Sequence, residues 1–252
     1  MTATLAAVVT LGAILAPSVA LGALLAPRNC PPRMCAPPAT ADPLDSDAAW
    51  LRAEDVRYGG AARSGRGYCA SYWPFTLAGN HSRAVLILGE PGPELRRIAD
   101  TLALSCECVA LLPDLGGDDV TVCDVAAWTH EALGREALAA STYLAGEHRV
   151  QGLAIVGAGA IGGRALELLA SGGLEAHAAV ALGPSEFDAA RAARELSVPL
   201  LAVSADAALR AGLESNPLLG DDYFVVEEEP LGERAVALAC AWVDRYVPEG
   251  LT

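Results

Sequence analysis

The sequence predicts an α/β fold, and three observations carry that prediction. Continuous apolar runs of buried-strand length recur along the chain, at Ala84–Leu88, Val109–Leu112, Leu153–Val156 and Ala178–Leu182. An Arg-rich helical stretch lies between the first two, and strand–helix–strand alternation is the repeat of a layered α/β domain. Each of three runs ends in a turn-forming group: Gly89-Glu90-Pro91-Gly92, Pro113-Asp114-Leu115 and Gly183-Pro184-Ser185. With 252 residues, 53% of them hydrophobic, the chain can bury one large core and carry an N-terminal extension.

Residues 1–40 read as a targeting segment or a membrane anchor. Leu5 to Pro27 is uncharged and rich in Ala, Leu and Val, long enough to cross a bilayer at about 20 residues per span, although Pro17 interrupts it. Ser18-Val19-Ala20 fits the small-x-small site of a cleaved signal, but no basic residue precedes the run. Arg28 to Thr40 contains Arg28, Arg33, several prolines and no acid, which resembles a transit segment; a signal followed by a transit peptide is the arrangement of plastids reached through the secretory route. If uncleaved, Arg28 and Arg33 favour an N-out anchor. The expected location is therefore membrane-associated or organellar (plastid), with a secretory alternative in which Asn80-His81-Ser82 becomes a glycosylation sequon.

Residues 41–82 read as a polar, irregular linker or edge extension. Its aromatic cluster Tyr68-Cys69-Ala70-Ser71-Tyr72-Trp73-Pro74-Phe75 is either a strand or loop packing on the sheet edge, the preferred reading, or docks a partner or pigment-like ligand. The main domain is expected over 83–252. Cys106 and Cys108 alternate at a strand start and share a face, as small buried side chains. Asp124 to Gly146 reads as a helix covering the sheet, with Val125, Trp128, Ala132 and Leu138 among its apolar positions. Trp128 is read as packing, and His130 and His148 as surface residues. Ala235–Tyr246 is the last apolar-periodic helix.

The turn Ala158-Gly159-Ala160-Ile161-Gly162-Gly163 admits two readings. Gly157-x-Gly159-x-x-Gly162 is the spacing of a dinucleotide-binding loop, which needs an acid about 20 residues on, at the end of the next strand. That strand ends in Gly183-Pro184-Ser185, with Glu175 before it and Glu186 beyond the turn, and only about 70 residues follow for the rest of a two-half sheet. The alternative is the strand-to-helix elbow of a hydrolase.

Here the chain resembles the dienelactone hydrolase family of α/β-hydrolases, over roughly Arg83 to Val247. The matching features are Glu90 after the third strand, Ile98-Ala99-Asp100-x-Leu102-Ala103 on the next helix, Pro113-Asp114-Leu115 after the fourth strand and Gly162-Gly163-Arg164 after the elbow. Gly183-Pro184-Ser185 stands where relatives often have His-Pro-Ser or a Tyr-Gly pair, and Pro199-Leu200-Leu201-Ala202-Val203 resembles the strand that delivers the catalytic acid. The resemblance implies an α/β-hydrolase-type, mostly parallel sheet flanked by helices, behind the N-terminal apolar segment. It also implies a triad: Cys or Ser at the elbow, an acid after the Pro199 strand, and a His in a His-Gly pair before the last helix. Carried across, those positions are Ala160, Ala208 and Leu231. Glu90 and Asp206, two residues before the acid position, are the vestigial candidates. Glu90 is more simply a solvated carboxylate or a partner of Arg96 or Arg97. Ser185 and Cys123 are the alternative nucleophiles, and neither has a neighbouring base in sequence.

Composition narrows the rest. A formal charge of −14 without clustered basic residues argues against nucleic-acid binding. All basic side chains are arginine, which removes lysine chemistry. Acidic runs such as Asp221-Asp222 and Glu227-Glu228-Glu229 read as solvated charges rather than a metal site. Cys30, Cys35, Cys69, Cys106, Cys108, Cys123 and Cys240 form no regular disulfide or zinc pattern. The expectation is a pseudo-hydrolase: no cofactor, no metal, and a structural or regulatory subunit whose partners are other, membrane-associated proteins, with a vestigial small-molecule pocket. The alternatives are an esterase or lactonase with relocated residues and a small-ligand-binding protein.

Overall fold

The computed structural model describes residues 50–59, 65–72, 82–115 and 128–248. Eight strands form one sheet: β1 (Leu51–Tyr58), β2 (Gly65–Tyr72), β3 (Arg83–Leu88), β4 (Val109–Pro113), β5 (Gly152–Ala158), β6 (Ala178–Leu182), β7 (Leu200–Val203) and β8 (Tyr223–Val226). Among the described residues six helices accompany them: α1 (Pro93–Ser105), α2 (His130–Glu147), α3 (Gly159–Ala170), α4 (Ala189–Glu195), α5 (Ala207–Glu214) and α6 (Glu233–Tyr246). The strand order is β1-β2-β4-β3-β5-β6-β7-β8. Only β2 runs opposite to the other seven strands, so the sheet is mostly parallel, as expected.

The central strands are apolar on both faces because helices cover both. In β3, Ala84, Leu86 and Leu88 point into the core beneath α2–α5, while Val85 and Ile87 point beneath α1 and α6. Each fully buried Leu or Ile there contributes about 2 kcal/mol by area. Helix α1 begins with Pro93 in its first turn and buries Leu95, Ile98, Ala99, Leu102 and Ala103, the spacing of a single core-facing stripe. Arg83, at the base of β3, is buried and donates to Asp244 Oδ1 (2.9 Å) and the Cys106 carbonyl (2.7 Å), tying α6 and the α1 terminus to the sheet.

Three expectations need correction. Within 41–82, residues 51–58 and 65–72 are not irregular: they are β1 and β2, members of the same sheet, so the domain starts before Arg83. Their pattern was masked because β1 is an edge strand with Arg52, Ala53, Glu54, Asp55 and Arg57 exposed, charges that also discourage edge-to-edge pairing. The aromatic cluster agrees with its preferred reading over Tyr68 to Tyr72, which lie in β2, one strand in from the edge; Trp73, Pro74 and Phe75 fall outside the described residues. The helix expected over Asp124–Gly146 starts at His130, where Thr129 caps it by accepting from the Ala132 amide (3.2 Å). Trp128 precedes it and packs, its indole N–H donating to the Leu115 carbonyl (2.8 Å), whereas Leu138 faces outward at 64% exposure. Cys106 and Cys108 are buried as expected but sit in the turn after α1, before β4 begins at Val109. Cys69, Cys106, Cys108 and Cys240 are free and buried; Cys30, Cys35 and Cys123 lie outside the described residues.

Candidate functional site

Strand β5 passes directly into α3 at the glycine-rich turn. Gly157 and Gly162 pack backbone to backbone: a Cβ on Gly157 would stand 2.7 Å from Gly162 Cα, and one on Gly162 would stand 2.5 Å from the Gly157 carbonyl carbon. This closeness lets a helix start on the end of a strand, and it, rather than a pyrophosphate, accounts for the glycine spacing. The turn's left-handed residue is Gly159 (φ 59°), one residue before Ala160. In a hydrolase elbow the strained residue carries the nucleophile. Ala160, the elbow position implied by the resemblance, lies within the first turn of α3, half-buried, and the apex of the turn, the residue at positive φ, is Gly159, exposed, where an added Cβ would meet nothing within 4 Å.

Three further segments lie around this apex. Gly89, after β3, is packed so closely that a Cβ would lie 3.2 Å from Ala158 Cβ and 2.6 Å from Leu95. Glu90 follows it and is exposed. It does not pair with the arginines proposed for it, since Arg96 bonds Asp55 (3.4 Å) and Arg97 the Leu231 carbonyl (3.3 Å). After β6, Gly183 takes φ 58° against Pro230, bringing the Pro230-Leu231-Gly232 loop to the rim. Ser185 is also at the rim: its amide donates to the Gly159 carbonyl (3.2 Å), and its own carbonyl crowds the Cβ position of Gly163. In the sequence Ser185 is only a serine after a strand; the fold brings it beside the elbow.

The acid position resolves differently. Asp206 caps α5, its Oδ1 accepting from the amides of Ala208 (2.7 Å) and Leu209 (3.1 Å), and Ala208 is exposed in the first turn of that helix. A carboxylate so engaged acts as a structural cap. Leu231 is half-buried against the core under α6, and Gly232 is the N-cap of that helix.

No histidine stands at the rim among the described residues. His130 and Ser171 approach to 3.3 Å, but the Ser171 hydroxyl donates to the Leu168 carbonyl (3.0 Å), so its proton is committed away from the imidazole. His177 Nδ1 accepts from the Leu153 amide (3.3 Å) at the opposite end of β5. His148 corrects its expected surface place: it is half-buried, edge-on to Tyr143 at 5.6 Å, and burial lowers its pKa. His81 lies outside the described residues. Among those residues no group of His, Cys, Asp and Glu is arranged to hold a metal, and no helix is long and apolar enough to cross a membrane.

The sequence matches no protein-family model and no curated protein. Solved structures do match. A dienelactone hydrolase from Anabaena variabilis aligns with 79% of this chain and 100% of its own at 17% identity and a TM-score of 0.59. An esterase from Pyrococcus furiosus covers 83% of this chain and 95% of its own at 12% identity and a TM-score of 0.61. A cold-adapted esterase from an Arctic intertidal metagenomic library covers 79% and 95% at 17% identity and a TM-score of 0.59. With the strand order, the lone antiparallel strand and the division of helices between the two faces, these likenesses establish that the chain has the α/β-hydrolase fold.

Proposed function

We propose that this is a pseudo-hydrolase: an α/β-hydrolase-fold protein without hydrolytic chemistry at its elbow, acting as a structural or regulatory subunit of a membrane-associated assembly, in a plastid if the N-terminal segment is a bipartite leader. The observation that carries it is Gly159. A strained elbow is worth its cost when it holds a reactive side chain in the open, and glycine adopts φ 59° with neither strain nor a reactive group. Gly159 and Ala160 both lack a nucleophilic side chain, so neither register of the turn supplies one. Asp206 is committed to a helix cap and Leu231 cannot take up a proton. The membrane and subunit part rests on the apolar run within residues 1–27 alone. Its test is the native mass of the endogenous protein after gentle solubilisation: co-migration with other proteins is expected, and a free monomer in every preparation would sink the subunit role.

A second reading is a dienelactone-hydrolase-like esterase or lactonase with relocated residues. What the structural neighbours are named for favours this reading over the first. So does Ser185, whose backbone is hydrogen-bonded to the elbow apex. Turnover of p-nitrophenyl acetate and of a dienelactone, by the purified chain and by Ser185→Ala, separates the two. The first reading expects no turnover above buffer in either. Turnover lost in Ser185→Ala would establish the second. A third role, a small apolar ligand held in the open space above Gly159 and Ala160, would show as a ligand-dependent rise in Tm.

A further inference from the structure

Away from the elbow, the sheet edge carries a cleft of about 660 Å³ between β1, β2 and the start of α1, within the size range of small-molecule sites. Three of the chain's arginines, Arg57, Arg66 and Arg96, line it, with Asp55 and Asp114 as the acids. None of Gly159, Ala160, Ser185, Asp206 or Leu231 contributes. The arrangement of the arginines is unusual in one respect. Arg57 and Arg66 are direct cross-strand partners in the antiparallel β1–β2 ladder, so their side chains leave the same face of the sheet. Like charges directly opposite each other destabilise a strand pair. Arg57 makes no ion pair among the described residues.

The third arginine is held in place. Arg96 lies over the Tyr68 ring at 4.9 Å from its centroid and reaches Asp55 at 3.4 Å. The ring is fixed in turn by the Tyr68 hydroxyl, which donates to Asp100 Oδ1 (2.6 Å). Burial, then that bond to Asp100, raise the Tyr68 pKa, so the hydroxyl remains a donor. Gly92, the uncapped start of α1, also lines the cleft, and the N-terminal end of this 13-residue helix adds positive potential. Three guanidinium groups thus meet two carboxylates in a chain whose formal charge is −14.

We infer that this cleft binds a small molecule through an oxyanion group, a carboxylate or a phosphate, seated between the cross-strand pair Arg57 and Arg66 and the stacked Arg96. Guanidinium forks match such groups bidentately, and the bound charge relieves the repulsion between the paired arginines. The inference is independent of either reading of the elbow.

Calorimetry and thermal melts at constant ionic strength test it, with inorganic phosphate and citrate as probes, chloride as the reference, and Arg194→Gln on α4 as a remote control. Saturable binding of at least one probe is expected in the wild type and in the control, weakened about tenfold or more in Arg57→Gln and in Arg66→Gln. Arg57→Gln in chloride should melt at or above the wild-type temperature, because it removes the like-charge pair; a merely structural arginine would give a lower Tm. Binding of phosphate alone identifies a phosphorylated ligand, and binding of citrate alone a carboxylate. No saturable binding of either probe, or equal binding in the wild type and Arg57→Gln, overturns the proposal. Turnover in the ester assay bears only on the elbow.

Discussion

At the elbow, Ala158, Gly159 and Ala160 are ringed by Gly89, Gly183, Ser185 and Leu231, with Glu90 exposed after Gly89 and Arg97 bonded to the Leu231 carbonyl. At the β1–β2 edge, Arg57, Arg66, Arg96, Asp55 and Asp114 face a single cleft. Both regions belong to one sheet, yet the first is shaped by close backbone approach and the second by charge. The contrast separates what the α/β-hydrolase frame requires, a tight strand-to-helix turn, from what hydrolysis requires, a nucleophile with a base in reach. In this chain the tight turn is built by glycines, and the converging charges of the β1–β2 cleft lie elsewhere.

The largest expected effect comes from breaking the frame. Gly162→Val places a branched side chain where even a Cβ would stand 2.5 Å from the Gly157 backbone, and neither partner is a movable side-chain end. The loss should be about 3 kcal/mol or more, read as a fall in the denaturation midpoint or as failure to fold. Gly159→Ala makes the sharper comparison within the same turn. Its Cβ would meet open space but must adopt φ 59°, so strain without a clash should cost about 1–2 kcal/mol. A Gly159→Ala penalty equal to that of Gly162→Val would mean the apex is packed, and the comparison between the turn's shape and its missing side chain would fail.

How much of this was legible in sequence depends on what each segment uses to fold. The central strands β3 to β7 announce themselves as apolar runs because helices bury both faces, and the sheet matched the expected fold class. β1 and β2 did not, since an edge strand such as Leu51–Tyr58 has almost no apolar alternation and its identity comes from pairing with β2. The same limit hid the cleft: Arg57 and Arg66 are nine residues apart in sequence, and only the ladder register makes them opposite. At the elbow the spacing Gly162-Gly163-Arg164 pointed to Ala160, whereas backbone conformation puts the apex at Gly159. Sequence gives glycine positions but not which of them takes positive φ. Ser185 was named as a serine after a strand; its hydrogen bond to Gly159 could not be read from spacing.

A smaller effect tests whether any charge near the rim has a chemical rather than a structural task. Asp206→Ala removes two bonds to the start of α5 and should cost about 1 kcal/mol. Asp206→Asn should recover most of it, because asparagine caps nearly as well. Neither change should alter turnover of small esters. Loss of measurable turnover in Asp206→Asn, at full stability, would show that the carboxylate's charge and not its capping matters, and would put chemistry back at the elbow.

The smallest effect concerns pH. His148, with its pKa lowered by burial against the opposing pull of Glu147 and Glu54, precedes β5, while Gly159 follows it, so a strand of about 20 Å separates the two. Unfolded histidine titrates near 6.5. Above that value both states are neutral at this site and His148 adds no pH dependence. As pH falls below it, the unfolded chain takes up the proton first, so stability declines with falling pH until the lowered folded-state pKa is passed. His148→Phe, which keeps the edge contact with Tyr143, should flatten this part of the curve between pH 7 and 5 in denaturant titrations. Carboxylates titrating in the same range contribute equally to both proteins, so the difference isolates His148. Parallel curves would mean the imidazole is hydrated in the folded state. A flattened curve, with no pH-dependent step in any ester turnover, would locate the His148 titration in its packing, the whole length of β5 away from the elbow.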